Sequence, residues 1–143
     1  AIGAEKGKAL LSVSSDSWAH SLQGWPEEAP KDAYEVDVLA AGQALAEAAS
    51  MPGDRLIAKI DVEGSECAVV CSTPVECWRL VDEMFVEHHK IAPCGASDIV
   101  DHLRGAGLQL LSRIEPEAEV QVLRFTRESQ DSGWEAAFPS ARV

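Results

Sequence analysis

At 143 residues the chain is long enough for one domain with a real core and too short for two. A formal net charge of -12, with twelve scattered Lys and Arg residues, provides no basic face for phosphates, so neither nucleic acid nor an anionic membrane is an expected partner. The hydrophobic fraction of 46% and charged fraction of 25% are those of a soluble globular protein. No apolar run is long enough to cross a bilayer, no leader is expected ahead of the first strand, and the expected location is cytoplasmic.

Four cysteines, Cys67, Cys71, Cys77 and Cys94, contain no Cys-x-x-Cys pair. On a helix Cys67 and Cys71 would share a face, yet they are poorly placed to form a disulfide. The expectation is four small, buried, apolar residues in a reducing cytosol, with no metal site.

In chain order, Ala1 to Lys8 reads as a loop and Ala9–Ser14 as a strand. Residues 15–32 are polar and irregular, with Trp18 and Trp25 as anchors onto the core. Tyr34–Leu39 is predicted to pair with the first strand, making an N-terminal β-hairpin. Ala40 to Ala49, rich in good helix formers, is predicted to be a helix ended by Ser50-Met-Pro-Gly53. Arg55-Leu-Ile-Ala-Lys-Ile-Asp-Val-Glu-Gly-Ser-Glu66 then reads as an apolar strand, a tight acidic turn and a helix start.

Ser65 to about Ser72 is predicted to be a short helix, and Pro74 to begin another through Arg79. Met84-Phe-Val86 lies in a second parallel strand that ends in Glu87-His88-His89. Ser97 is the expected N-cap of a helix over Asp98–Arg104 with Ile99, Val100 and Leu103 buried, ended by Gly105 and Gly107. Gln109–Ile114 and Glu119–Thr126 are an expected antiparallel pair. The domain is placed at residues 1–127 and a polar tail at 128–143, with Trp134 and Phe138 as docking anchors.

Ile57-Ala-Lys-Ile-Asp-Val-Glu-Gly-Ser-Glu66 resembles the signature strand and turn of the FkbM family of S-adenosylmethionine-dependent methyltransferases. Ala1-Ile-Gly-Ala-Glu-Lys-Gly7 resembles that family's turn after its third core strand. Phe85-Val-Glu-His-His89, then a helix and Gly105-Ala-Gly107, resembles its fifth strand and the segment after that strand. The resemblance implies an α/β fold: a partial Rossmann-like methyltransferase sheet of order 4-5-7-6 in the family's numbering, with the last strand antiparallel. It also implies S-adenosylmethionine as cofactor and a small-molecule or sugar hydroxyl as acceptor. The family's Gly-rich loop and ribose-binding acidic residue are not among these residues, and Ala40-Ala41 stands where Leu-Asp is usual. The chain therefore looks like the C-terminal half of the domain, inactive alone. The alternative is a non-catalytic dimeric binding or scaffold module derived from the same fold.

Open α/β sheets bind ligands at the C-terminal ends of their strands. That places Asp61 and Gly64 at the cofactor in this reading, with Asp61 toward the sulfonium or the acceptor hydroxyl and Glu63 or His89 as general base. Glu87 shares the side of His89 and matches the family's Glu-x-His spacing, whereas His88 is expected under a helix. In the plainer alternative, Asp61 and Glu63 only organise the turn and cap the helix. With the first three core strands absent, Leu56–Asp61 becomes an edge strand. The hairpin could cover that edge, a second copy could pair with it in a homodimer, or the missing N-terminal half could take the place.

Overall fold

A computed structural model describes residues 1–13, 32–90 and 94–127. The readings made for Trp18, Trp25, Trp134, Phe138 and the tail at 128–143 lie outside these residues.

The described chain is mixed α/β with two separate sheets. The smaller sheet has three strands, β1 (Ile2–Gly3), β2 (Gly7–Val13) and β3 (Asp32–Ala40), in the order β1-β3-β2. The predicted hairpin is its antiparallel pair, with Ala9 opposite Val36 and Leu11 opposite Tyr34. β1 adds in parallel on the other side of β3, and the Ala1 ammonium donates to the Asp37 carbonyl at 2.8 Å. Helix α1 (Ala41–Ala49) begins directly after β3, burying Ala41 and Leu45.

The larger sheet contains β4 (Ile57–Ile60), β5 (Glu83–His89), β6 (Leu108–Glu117) and β7 (Val120–Arg127), ordered β4-β5-β7-β6. β4 and β5 are parallel, while β7 runs antiparallel to both β5 and β6. Between them lie α2 (Glu66–Ser72), α3 (Val75–Trp78) and α4 (Ala96–Gly105). Ser97 falls inside α4 and does not cap it. Gly95 is the N-cap residue, and its N–H is taken by the Asp98 carboxylate at 2.8 Å. At the far end Gly107 adopts φ +82°, the left-handed conformation that glycine reaches without Cβ strain.

Period-two alternation decides which face of this sheet is buried. Met84 and Val86 of β5 and Leu123 and Phe125 of β7 form one core with Val70, Trp78, Ile99 and Leu103 from the helices. The opposite face carries Lys59 and Arg124, both exposed, and half-buried Phe85, Glu87 and Val122. β4 has apolar residues on both faces, as a central strand does, but it is the edge of its sheet among the described residues, and Ile57 is 56% exposed. The hairpin does not cover this edge by pairing, because it belongs to the other sheet.

The cysteines depart from expectation. Cys94, two residues before α4, is joined to Cys67 of α2 in a disulfide. The Cys71 sulfur stands 3.9 Å from that of Cys67. Sequence reasoning compared neighbours on one helix and so missed a partner 27 residues away that only the chain return supplies. Cys77 is apart from these. It sits where α3 crosses α1, so close to Gly42 that a Cβ there would lie 3.0 Å from its sulfur.

Candidate functional site

The parallel pair β4 and β5 ends at one level, with Ile60 in register with Val86. The turn after β4 and the last residues of β5 are therefore neighbours, and the acidic turn meets His89. Two consecutive left-handed residues shape the turn, Glu63 at φ 49° and Gly64 at φ 93°. Glycine adopts this region freely, but for glutamate it costs about 1 kcal/mol or more. In this turn the Glu63 carboxylate lies 3.3 Å from His89 Nε2.

Glu66, the first residue of α2, is the centre of the cluster, and it is completely buried. One of its oxygens accepts the N–H groups of Val62 at 3.2 Å and Gly64 at 2.9 Å, and lies 3.2 Å from His89 Nδ1. The other accepts the His89 backbone N–H at 3.3 Å. Turn organisation was assigned to Asp61 and Glu63 in the plainer reading of the sequence; it is performed by Glu66. The detectable signal was a carboxylate in a first helical turn directly after a turn full of N–H donors.

Asp61 is held elsewhere, its carboxylate accepting the Lys59 ammonium at 2.6 Å on the exposed side. That bond raises the Lys59 pKa. Glu87 acts on the group through its charge, which favours the cationic forms of Lys59 and His89 and opposes ionisation of Glu63. His88 faces the helices, as expected, and is 2% exposed.

Burial pushes the Glu63 carboxyl up, as do Asp61, Glu66 and Glu87, against the lowering effect of His89. For Glu66 burial also pushes upward, but the His89 hydrogen bond and the Gly64 N–H outweigh it and the net direction is down. The His89 pKa is raised, first by the Glu66 hydrogen bond, and again by the charges of Glu66, Glu63 and Glu87, against burial. The imidazole has a carboxylate at each ring nitrogen, Glu66 at Nδ1 and Glu63 at Nε2, which favours its cationic form. The structure thus joins Glu63, Glu66 and His89 into a carboxylate–imidazole–carboxylate group, with Asp61 and Glu87 at its margin.

A separate open cleft of about 190 Å³ lies at the opposite end of β4, lined by residues including Met51, Arg55, Leu80 and Asp82. No member of the acidic cluster lines it. Among the described residues no helix is long and apolar enough to cross a membrane. Comparison with protein-family models, with curated proteins and with solved structures returns no match for the chain.

Proposed function

We propose that this chain supplies the acceptor-side half of an FkbM-type, S-adenosylmethionine-dependent O-methyltransferase domain with a Rossmann-like sheet. The observation that carries the reading is the Glu63–His89–Glu66 group at the C-terminal ends of two adjacent parallel strands. In this reading His89 removes the proton of a small-molecule or sugar hydroxyl. Glu66 orients the imidazole and Glu63 stabilises its cationic form. The strained φ of Glu63 is support of a second kind, since such strain persists where the fold requires a side chain in one place.

The residues present do not fit the whole cofactor. An acidic turn at Asp61 and Gly64 suits a cationic sulfonium, but Asp61 is engaged by Lys59. Among the described residues no Gly-rich strand-to-helix turn with a ribose-binding acid is present to hold the rest. The reading therefore assigns S-adenosylmethionine binding to a site completed by another segment or polypeptide, docked on the β4 edge. A location in the cytoplasm belongs to the same proposal.

A second reading is favoured by the edge itself, where Ile57 is exposed and no described strand pairs with the outer side of β4. Here the chain is a non-catalytic scaffold module that pairs two copies through β4 into one continuous sheet. Titration calorimetry with S-adenosylmethionine, together with the coding sequence on the amino-terminal side of Ala1, separates the two. The methyltransferase reading expects no heat from this chain alone, a Gly-rich strand–turn–helix encoded upstream or in a partner, and heat once that half is joined. A joined, folded assembly that still takes up no S-adenosylmethionine overturns it in favour of the scaffold.

A further inference from the structure

We propose that, once the Cys67–Cys94 bond is reduced, Cys67, Cys71 and Cys94 form a three-thiolate site for a single zinc-like divalent ion. The site is independent of the acidic cluster and of the function proposed for it.

The geometry starts with α2. Residues four apart on a helix lie one above the other, and Cys67 and Cys71 hold their sulfurs 3.9 Å apart. Two thiolates bound to a tetrahedral zinc ion at about 2.3 Å have a sulfur–sulfur separation of about 3.8 Å. Cys94 arrives from the loop before α4, its Cα 6.0 Å from that of Cys67, and all three sulfurs lie within 4.8 Å of one another. Helix α2 supplies two ligands and a loop the third, all three half-buried beside the core.

The disulfide accounts for two of these sulfurs and leaves Cys71 without a purpose. A bound divalent cation gives it one, since the ion's charge makes thiolates of all three groups. A tetrahedral ion keeps its fourth position for water.

The chemistry balances without a hidden reactant. A dithiol reductant opens the Cys67–Cys94 bond, giving two thiols and leaving as its own cyclic disulfide. The divalent ion then displaces three protons, one from each thiol. In reverse, a disulfide oxidant takes two electrons and leaves as two thiols, the Cys67–Cys94 bond re-forms, Cys71 regains a proton, and the ion is released with one sulfur ligand remaining.

The test uses the full chain, reduced with dithiothreitol and desalted without oxygen. Titration with Co²⁺ is expected to produce thiolate-to-cobalt charge-transfer absorption and tetrahedral visible bands that saturate at one ion per chain and bleach on adding Zn²⁺. Cys71→Ser should weaken Co²⁺ binding roughly tenfold or more, while Cys77→Ser leaves it unchanged. In the unmodified chain Zn²⁺ should protect three of the four cysteines from iodoacetamide, read by mass spectrometry, with Cys77 still labelled. A folded, reduced chain without charge-transfer absorption overturns the proposal. So does equal labelling of the cysteines with and without Zn²⁺, an outcome that needs no variant to fold.

Discussion

Glu66 and His89 titrate against each other, and the directions of their shifts set a pH window. The Glu66 pKa lies below its ordinary 4.5, so its contribution to stability is present above that pH and is lost as pH falls through the lowered value. The His89 pKa lies above its ordinary 6.5, so its contribution is complete below that pH and is lost as pH rises through the raised value. Both are present together between pH 4.5 and 6.5. Urea denaturation should therefore show stability declining above that window, and His89→Gln should flatten the alkaline decline; an unchanged slope would refute the coupling. Glu66→Gln leaves a buried imidazolium and several N–H groups poorly matched, and should cost about 3 kcal/mol by the same measurement. Glu63→Gly should have the opposite effect on the backbone, relieving left-handed strain worth about 1 kcal/mol. In the completed methyltransferase assembly it should nevertheless lower turnover, a split that a purely structural turn residue would not produce.

At the scale of elements, short helices are stable here through what they bury. α3 has four residues, too few to persist alone, but its Trp78 is fully buried and donates its indole N–H to the Val70 carbonyl at 3.1 Å. Trp78→Ala should cost about 4 kcal/mol in equilibrium unfolding. Arg127, at the end of β7, donates to the carbonyls of Ala106 at 2.9 Å, Trp78 at 3.2 Å and Val81 at 3.0 Å. One guanidinium thus satisfies carbonyls at or just past the ends of two helices, where cations are favoured. Gly107 lets that side chain approach, since a Cβ there would stand 3.0 Å from its Nη1.

For the whole molecule, the consequential features are a sheet edge and a sheet face. The described helices α2, α3 and α4 build their core with one face of the larger sheet. The other is occupied by charge pairs, with Glu83 held by Arg124 at 2.6 Å and by Arg55 at 3.3 Å, and Arg124 lying 5.5 Å from the centre of the Phe85 ring. Such pairing keeps charged groups on that face satisfied. Among the described residues the β4 edge has no comparable protection, which is the basis for expecting self-association. Sedimentation at micromolar concentration should give a dimer, and Ile57→Lys should convert it to monomer with little change in unfolding. A monomeric unmodified chain would dismiss pairing between copies.

Much of the fold was legible in order and period. The strand readings at Met84–Val86 and Glu119–Thr126 fell on β5 and β7, Gly107 marked the end of α4, and the apolar run before Asp61 marked β4, because these depend on near neighbours along the chain. The position of the acidic cluster was legible too, as polar groups gathered at strand ends. Its membership was not. Glu66 reads in sequence as one helix-start acid among several, and becomes the organising group only when β5 delivers His89 across a separation of 23 residues. Cys94 likewise means nothing until a loop lays it on Cys67 and Cys71. Local propensity and periodicity can be read from one strand of text, whereas a buried charge acquires its partners, and three sulfurs their common centre, from the packing of segments that are distant in the chain.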